Sequence, residues 1–132
     1  MNRSFALLLL MGGLGGTLTD VADCAEAARI GGVYSSLALN ADSGDLTGIE
    51  LLVVPQNPTT GDAVVTVQVA EGQLPQVFLV RTKVARGTFD LKFTMPPATS
   101  PITYHCELEA QGLKCSGPYI EEHLRHRASY WQ

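Results

Sequence analysis

Histidine and carboxylate side chains crowd the last third of the chain, where His105, His123 and His126 lie near Glu107, Glu109, Glu121 and Glu122. Imidazole nitrogen and carboxylate oxygen on adjacent strands together suit zinc or copper. His105 and Glu107 are two residues apart, hence on one face of a strand, and a neighbouring strand would bring His123 alongside. The same alternate positions, Thr103, His105, Glu107 and Glu109, are those of a solvated outer sheet face, so the cluster reads as wet surface and no metal ligand is assigned. The His105-x-Glu107 fragment lacks the Pro-Cys-x-x-Cys partner of a zinc deaminase, and the serines form no Gly-x-Ser-x-Gly elbow. Asp42 and Asp45 sit in a turn, where Asp is favoured for bonding to its own backbone. No catalytic residue and no cofactor is assigned, and the expectation is a protein that is not an enzyme.

Two further positions carry chemistry of another kind. Cys106 and Cys115 flank Ala110-Gln111. If those two residues form a hairpin loop, Glu109 faces Gly112, Leu108 faces Leu113, and Cys106 faces Cys115 on one apolar face. Opposed residues of an antiparallel pair have Cβ atoms about 4.5–5.5 Å apart, close to what a disulfide requires. The expectation is a disulfide within one hairpin. Glu50 is the odd acidic residue, since its strand is otherwise nearly all apolar; it is either an outward-pointing group or a polar contact inside a barrel. Tyr130 and Trp131, the latter the only tryptophan, are assigned with Glu50 as candidate ligand or partner contacts.

The elements that must position these groups are strands. Phe89, Leu91, Phe93 and Met95 alternate with Thr88, Asp90, Lys92 and Thr94, the period of a strand with one buried face. Ile102, Tyr104, Cys106 and Leu108 alternate with polar residues in the same way. Segments 33–40, 46–54, 63–70, 76–85, 113–117 and 121–127 complete a set of about eight strands. Between them lie turn residues: Ala41-Asp42-Ser43-Gly44-Asp45, Gln56-Asn57-Pro58-Thr59-Thr60-Gly61-Asp62, Glu71-Gly72-Gln73-Leu74-Pro75, Arg86-Gly87, Pro96 to Pro101 and Gln111-Gly112. Loops this short make consecutive strands antiparallel neighbours. The predicted fold is therefore all-β: an antiparallel meander closed into an up-and-down barrel to hide its edges, with a two-sheet β-sandwich as the alternative.

Ahead of the strands, Met1-Asn2-Arg3-Ser4 is a short basic start and Phe5 to Leu14 an apolar run, the pattern of a signal peptide over residues 1–27. It is too short for a membrane span. Ala25-Glu26-Ala27 offers a cleavage site. Val21-Ala22-Asp23-Cys24 has the outline of a lipoprotein box, with Asp23 wrong for it, so lipid attachment at Cys24 is the lesser expectation. Residues 28–132 form the single remaining domain. Its two cysteines then enter an oxidising, periplasmic or secreted compartment. The formal net charge of the whole chain is -4, which argues against a nucleic-acid partner.

Two fragments carry a resemblance. Ser43-Gly44-Asp45-Leu46-Thr47-Gly48 is similar to the turn and strand of avidin-like and lipocalin-like barrels. Arg127-x-Ser129-Tyr130-Trp131 resembles the tail of small exported bacterial β-domain proteins with no assigned activity. The first implies a barrel. Neither transfers binding residues, because the several tryptophans of an avidin biotin site have no counterpart here. The functional expectation is an exported, non-catalytic module that binds a small apolar ligand or lipid. The alternative is a cell-envelope structural or protein-interaction domain without a small-molecule ligand.

Overall fold

A computed structural model describes residues 29–72, 74–118 and 121–127. The signal segment, Cys24, Tyr130 and Trp131 lie outside the described residues. The strands are β1 (Gly32–Ser35), β2 (Ala38–Leu39), β3 (Leu46–Asn57), β4 (Asp62–Glu71), β5 (Gln76–Lys83), β6 (Thr88–Phe93), β7 (Ile102–Glu109), β8 (Gly112–Ser116) and β9 (Glu121–His126). All pairings are antiparallel, in the order β5-β4-β3-β1-β9-β8-β7-β6, with β2 also on β3. That is the up-and-down meander, nearly closed into a barrel.

The first and last strands pair directly, Tyr34 with His126 and Ser35 with Arg125. The Arg127 amide extends the ladder to the Val33 carbonyl at 3.0 Å. The seam lies instead between the consecutive strands β5 and β6. Beside their hairpin they touch through the Ala85–Thr88 bridge and through the Thr82 hydroxyl, which donates to the Asp90 carbonyl at 2.7 Å. Farther from the hairpin, Phe78 stacks on Phe93 at 4.8 Å between ring centroids. Side chains thus close what backbone hydrogen bonds leave open.

The inward rows are those of the alternation: Ile49, Leu51 and Val53 on β3; Ala63, Val65, Val67 and Val69 on β4; Phe89, Leu91 and Phe93 on β6. Tyr104, Cys106, Leu113, Cys115 and Leu124 continue the core across β7 to β9. Eight strands enclose a space that side chains fill, and the void left among Leu51, Val67, Leu91 and Leu124 is only about 10 Å³. Ile30 plugs the end near Val53; the Tyr34 hydroxyl donates to its carbonyl at 2.9 Å, and His126 lies edge-on to the Tyr34 ring.

Two turns repeat one device. The Asn40 side-chain oxygen accepts from the Asp42 and Ser43 amides, and the Asn57 oxygen accepts from the Thr59 and Thr60 amides. Each Asn nucleates its turn without help from distant residues.

The structure departs from the sequence reading in two places. The first strand, expected over 33–40, is broken into β1 and β2. The Ser36 amide still donates to the Ile49 carbonyl at 2.8 Å, but the Ile49 amide donates to the Ser36 hydroxyl at 3.1 Å, so a side chain replaces the backbone acceptor in half of that rung. Opposite it, Gly48 has φ +115°, and a Cβ there would stand 2.7 Å from the Ser36 carbonyl oxygen. Secondly, β3 continues past Val54 through Pro55 to Asn57, with a register shift between Pro55 and Asn57. A bulge accommodates a residue that lacks an N–H donor.

The hairpin β7–β8 has the register Leu108–Leu113, Glu109–Gly112 and Cys106–Cys115, and the two cysteines form a disulfide with sequence separation 9. Both are buried. A Cys106→Ala/Cys115→Ala double variant is expected to lose about 2–3 kcal/mol, the loop-closure value for so short a loop. Urea denaturation of the two proteins checks it; an unchanged midpoint would mean that the hairpin is ordered without the bond.

Candidate functional site

Opposite the Ile30 plug the barrel stays open. A cleft of about 340 Å³ lies there, lined by Thr47, Gly48, Ile49, Val69, Ala70, Glu71, Phe93, Met95, Ile102, Tyr104 and Glu122. These positions belong to the first residues of β3, the last of β4, the end of β6 and the start of β7 and β9. The cleft is the inner surface of the barrel where the strands run out. Its floor is the packed core, through Ile49, Phe93 and Tyr104.

Local chemistry explains why this end does not close. β5 and β6 converge at their hairpin and share no ladder. The Met95–Pro101 connection carries Pro96, Pro97 and Pro101, which cannot donate to a neighbouring strand; the Pro96–Pro97 peptide is cis. A second depression beside the mouth is lined by Val69, Glu71, Leu74, Gln76, Met95, Pro96 and Pro97. Leu74, in the β4–β5 turn, is 91% exposed there.

The polar groups of the cleft are few. Tyr104 lies in the inward row of β7, its ring nearly parallel to Phe93 at 6.0 Å. Gly117 passes so close that a Cβ would meet the ring at 2.4 Å. Burial raises the Tyr104 phenol above the ordinary tyrosine value, and the charges of Glu122 and Glu71 push it further. At neutral pH it is a neutral O–H donor. Glu122 stands in the inward row of β9 with Leu124, and Glu71 is opposite Thr47 at the end of β4. The wall between them is apolar.

The residues singled out in the sequence fall elsewhere. Glu50 is on the outer face of β3, opposite Ser35 of β1 and Gln68 of β4. It is only 2% exposed, is not a free carboxylate, and does not line the cleft. Near it, one Arg127 Nη2 donates to the Ser35 hydroxyl at 2.6 Å and to the Leu37 carbonyl at 2.8 Å. Its strand face is therefore covered although it points away from the core.

His105 and His123 are on the outer face and exposed. His105 Nδ1 lies 2.7 Å from Asp90, and His123 is flanked by Glu109 at 3.3 Å and Glu121 at 3.6 Å. Lys114 meets Glu121 at 3.1 Å. Their hydrogen bond, aided by charge, raises the lysine and lowers the carboxyl from their usual values. Among the described residues no group of three or more His, Cys, Asp or Glu side chains is placed to hold a metal ion. Among them, also, no helix is long and apolar enough to cross a membrane.

Sequence reasoning missed Glu71 and Glu122 as members of one site. Glu122 stands two before Leu124 and Glu71 two after Val69, so each continues an inward row. That alternation is the signal that could have found them.

No known protein family, curated protein or solved structure matches the chain.

A Glu122→Gln variant should lower the titration of Tyr104 toward the ordinary tyrosine value without reaching it, because burial is the larger cause. Phenolate absorbance against pH, with Tyr104→Phe to assign the signal, measures this. An unmoved Tyr104 would mean that Glu122 does not face the cleft.

Proposed function

We propose that the protein is a non-catalytic carrier of a small, largely apolar molecule, working in an oxidising compartment outside the cytoplasm. The observation that carries the reading is the cleft at the barrel mouth. Its volume of about 340 Å³ lies within the range of about 300–1,000 Å³ typical of small-ligand sites. Apolar side chains dominate its walls and a few polar groups stand at its rim, the division of labour by which such sites combine affinity with orientation. The mouths of β-barrels are a recurrent place for them. The buried Cys106–Cys115 disulfide is compatible with an exported location, since such bonds persist where thiols are not kept reduced.

The kind of groups described at the rim supports a non-catalytic reading. The rim offers two carboxylates and a neutral phenol, without a nucleophile hydrogen-bonded to a base.

A second reading, an envelope domain that docks another protein, rests on a different surface. Leu52 and Val54 of β3 and Val77 and Leu79 of β5 are exposed on the outer face. With Thr66 of β4 between Leu52 and Leu79, they form an apolar row on the side of the barrel, of the kind that marks interaction sites.

Native mass spectrometry of the protein purified from an exporting bacterial host tests the carrier reading. The expected result is a mass increment that is lost on denaturation. Val69→Trp, which puts an indole into the cleft wall, should abolish it while leaving the circular dichroism of the barrel intact. A bare polypeptide mass, together with no uptake of an apolar fluorophore by the parent protein, overturns the carrier reading and leaves the docking surface.

A further inference from the structure

We propose that the ligand is a cationic amphiphile, an apolar chain ending in a protonated amine, and that Glu71 and Glu122 receive the ammonium. The inference rests on the carrier reading and goes further by fixing the charge of the ligand.

Among the described lining residues Glu71, Glu122 and the Tyr104 phenol are the ionisable groups, and none is Lys, Arg or His. The two carboxylates come from separated strands, β4 and β9, with β3 and β1 between them in the sheet. They therefore approach the opening from different sides.

Three acids of the outer face have cationic neighbours: Asp90 has His105, Glu109 has His123, and Glu121 has Lys114 and His123. Glu71 and Glu122 take part in none of the ion pairs among the described residues.

Charge in a half-enclosed, low-dielectric setting decides between head groups. A carboxylate or phosphate head would be brought against two like charges and would lose its hydration as well. An ammonium gains the attraction of both carboxylates. A hydroxyl finds hydrogen-bond acceptors and no net charge. The Tyr104 phenol, raised above its ordinary value first by burial and further by the charges of Glu122 and Glu71, stands within reach of both carboxylates. Ile49, Val69, Phe93 and Ile102 supply the wall for the chain, where each buried methylene strengthens binding.

The test compares octylammonium, octanol and octanoate, three ligands with one chain and different heads. Each displaces an apolar fluorophore from the full chain at neutral pH and low salt. Octylammonium should bind about tenfold more tightly than octanol, the ratio that 1.4 kcal/mol of charge attraction supplies, and octanoate most weakly. In the Glu71→Gln/Glu122→Gln double variant the amine and the alcohol should converge, with octanol affinity unchanged. An outer-face control, Glu107→Gln/Glu109→Gln, alters net charge equally and should keep the parent ranking.

Equal binding of all three heads to the parent overturns the head-group assignment and leaves the carrier reading standing. So does an amine advantage that survives in the Glu71/Glu122 variant or disappears in the control. Failure of all three to bind the parent overturns both readings.

Discussion

The structure depends on β1 being held between β3 and β9. Four residues of β1 pair with β3, and two of the same four pair with β9. Through them a sheet built from local hairpins becomes an enclosure. The joint is short, and side chains reinforce it. Arg127 continues the ladder with its amide and reaches over β1 with its guanidinium to the Ser35 hydroxyl and the Leu37 carbonyl. Beneath the joint Tyr34 is buried with Leu51 in the core. An eight-strand sheet exposes two edges unless it curls round on itself, and only this long-range pairing removes them from the ends of the meander.

Closure there moves the opening elsewhere. Two strands joined by a tight hairpin would ordinarily pair along their whole length. Here β5 and β6 share one bridge beside their turn, and beyond it Phe78 and Phe93 fill the gap by stacking. The interior is packed from the Ile30 plug to Leu91 and Leu124 and runs out at Phe93 and Tyr104. The cleft and the seam share Phe93 for that reason. An eight-stranded barrel can be filled by side chains or can hold a small ligand; here side chains leave only about 10 Å³ in the middle, so the larger space lies where the rows of large side chains end.

Charge is distributed by the same alternation. Along β7 to β9 one face supplies the core and the other supplies acids with His and Lys partners. At the mouth the inward rows of β4 and β9 end in Glu71 and Glu122, where apolar packing has stopped and water or a ligand takes over. A carboxylate at the end of an apolar row costs little because it stands at the boundary of the core. It also places a negative potential directly over the apolar wall.

Much of this was legible from local pattern. Alternation in Thr88–Met95 and Ile102–Glu109 determined which side chains face inward, because the strand period is two whatever the fold. The Ala110-Gln111 turn set the register that joins Cys106 to Cys115, since a hairpin needs only neighbouring residues. Asn57 marked its turn for the same reason. The break at Ser36 and the extension of β3 through Pro55 were not legible: both are settled by what the partner strand offers at that rung. Glu50 shows the limit most clearly. Its outward direction follows from alternation, whereas its burial depends on chain from elsewhere crossing that face. The sequence puts Glu122 two residues before Leu124 but sets Glu71 in a turn, and only the structure carries β4 through it. That they meet at one opening was decided by tertiary structure, because residues on β4 and β9 come together only after the first and last strands have paired.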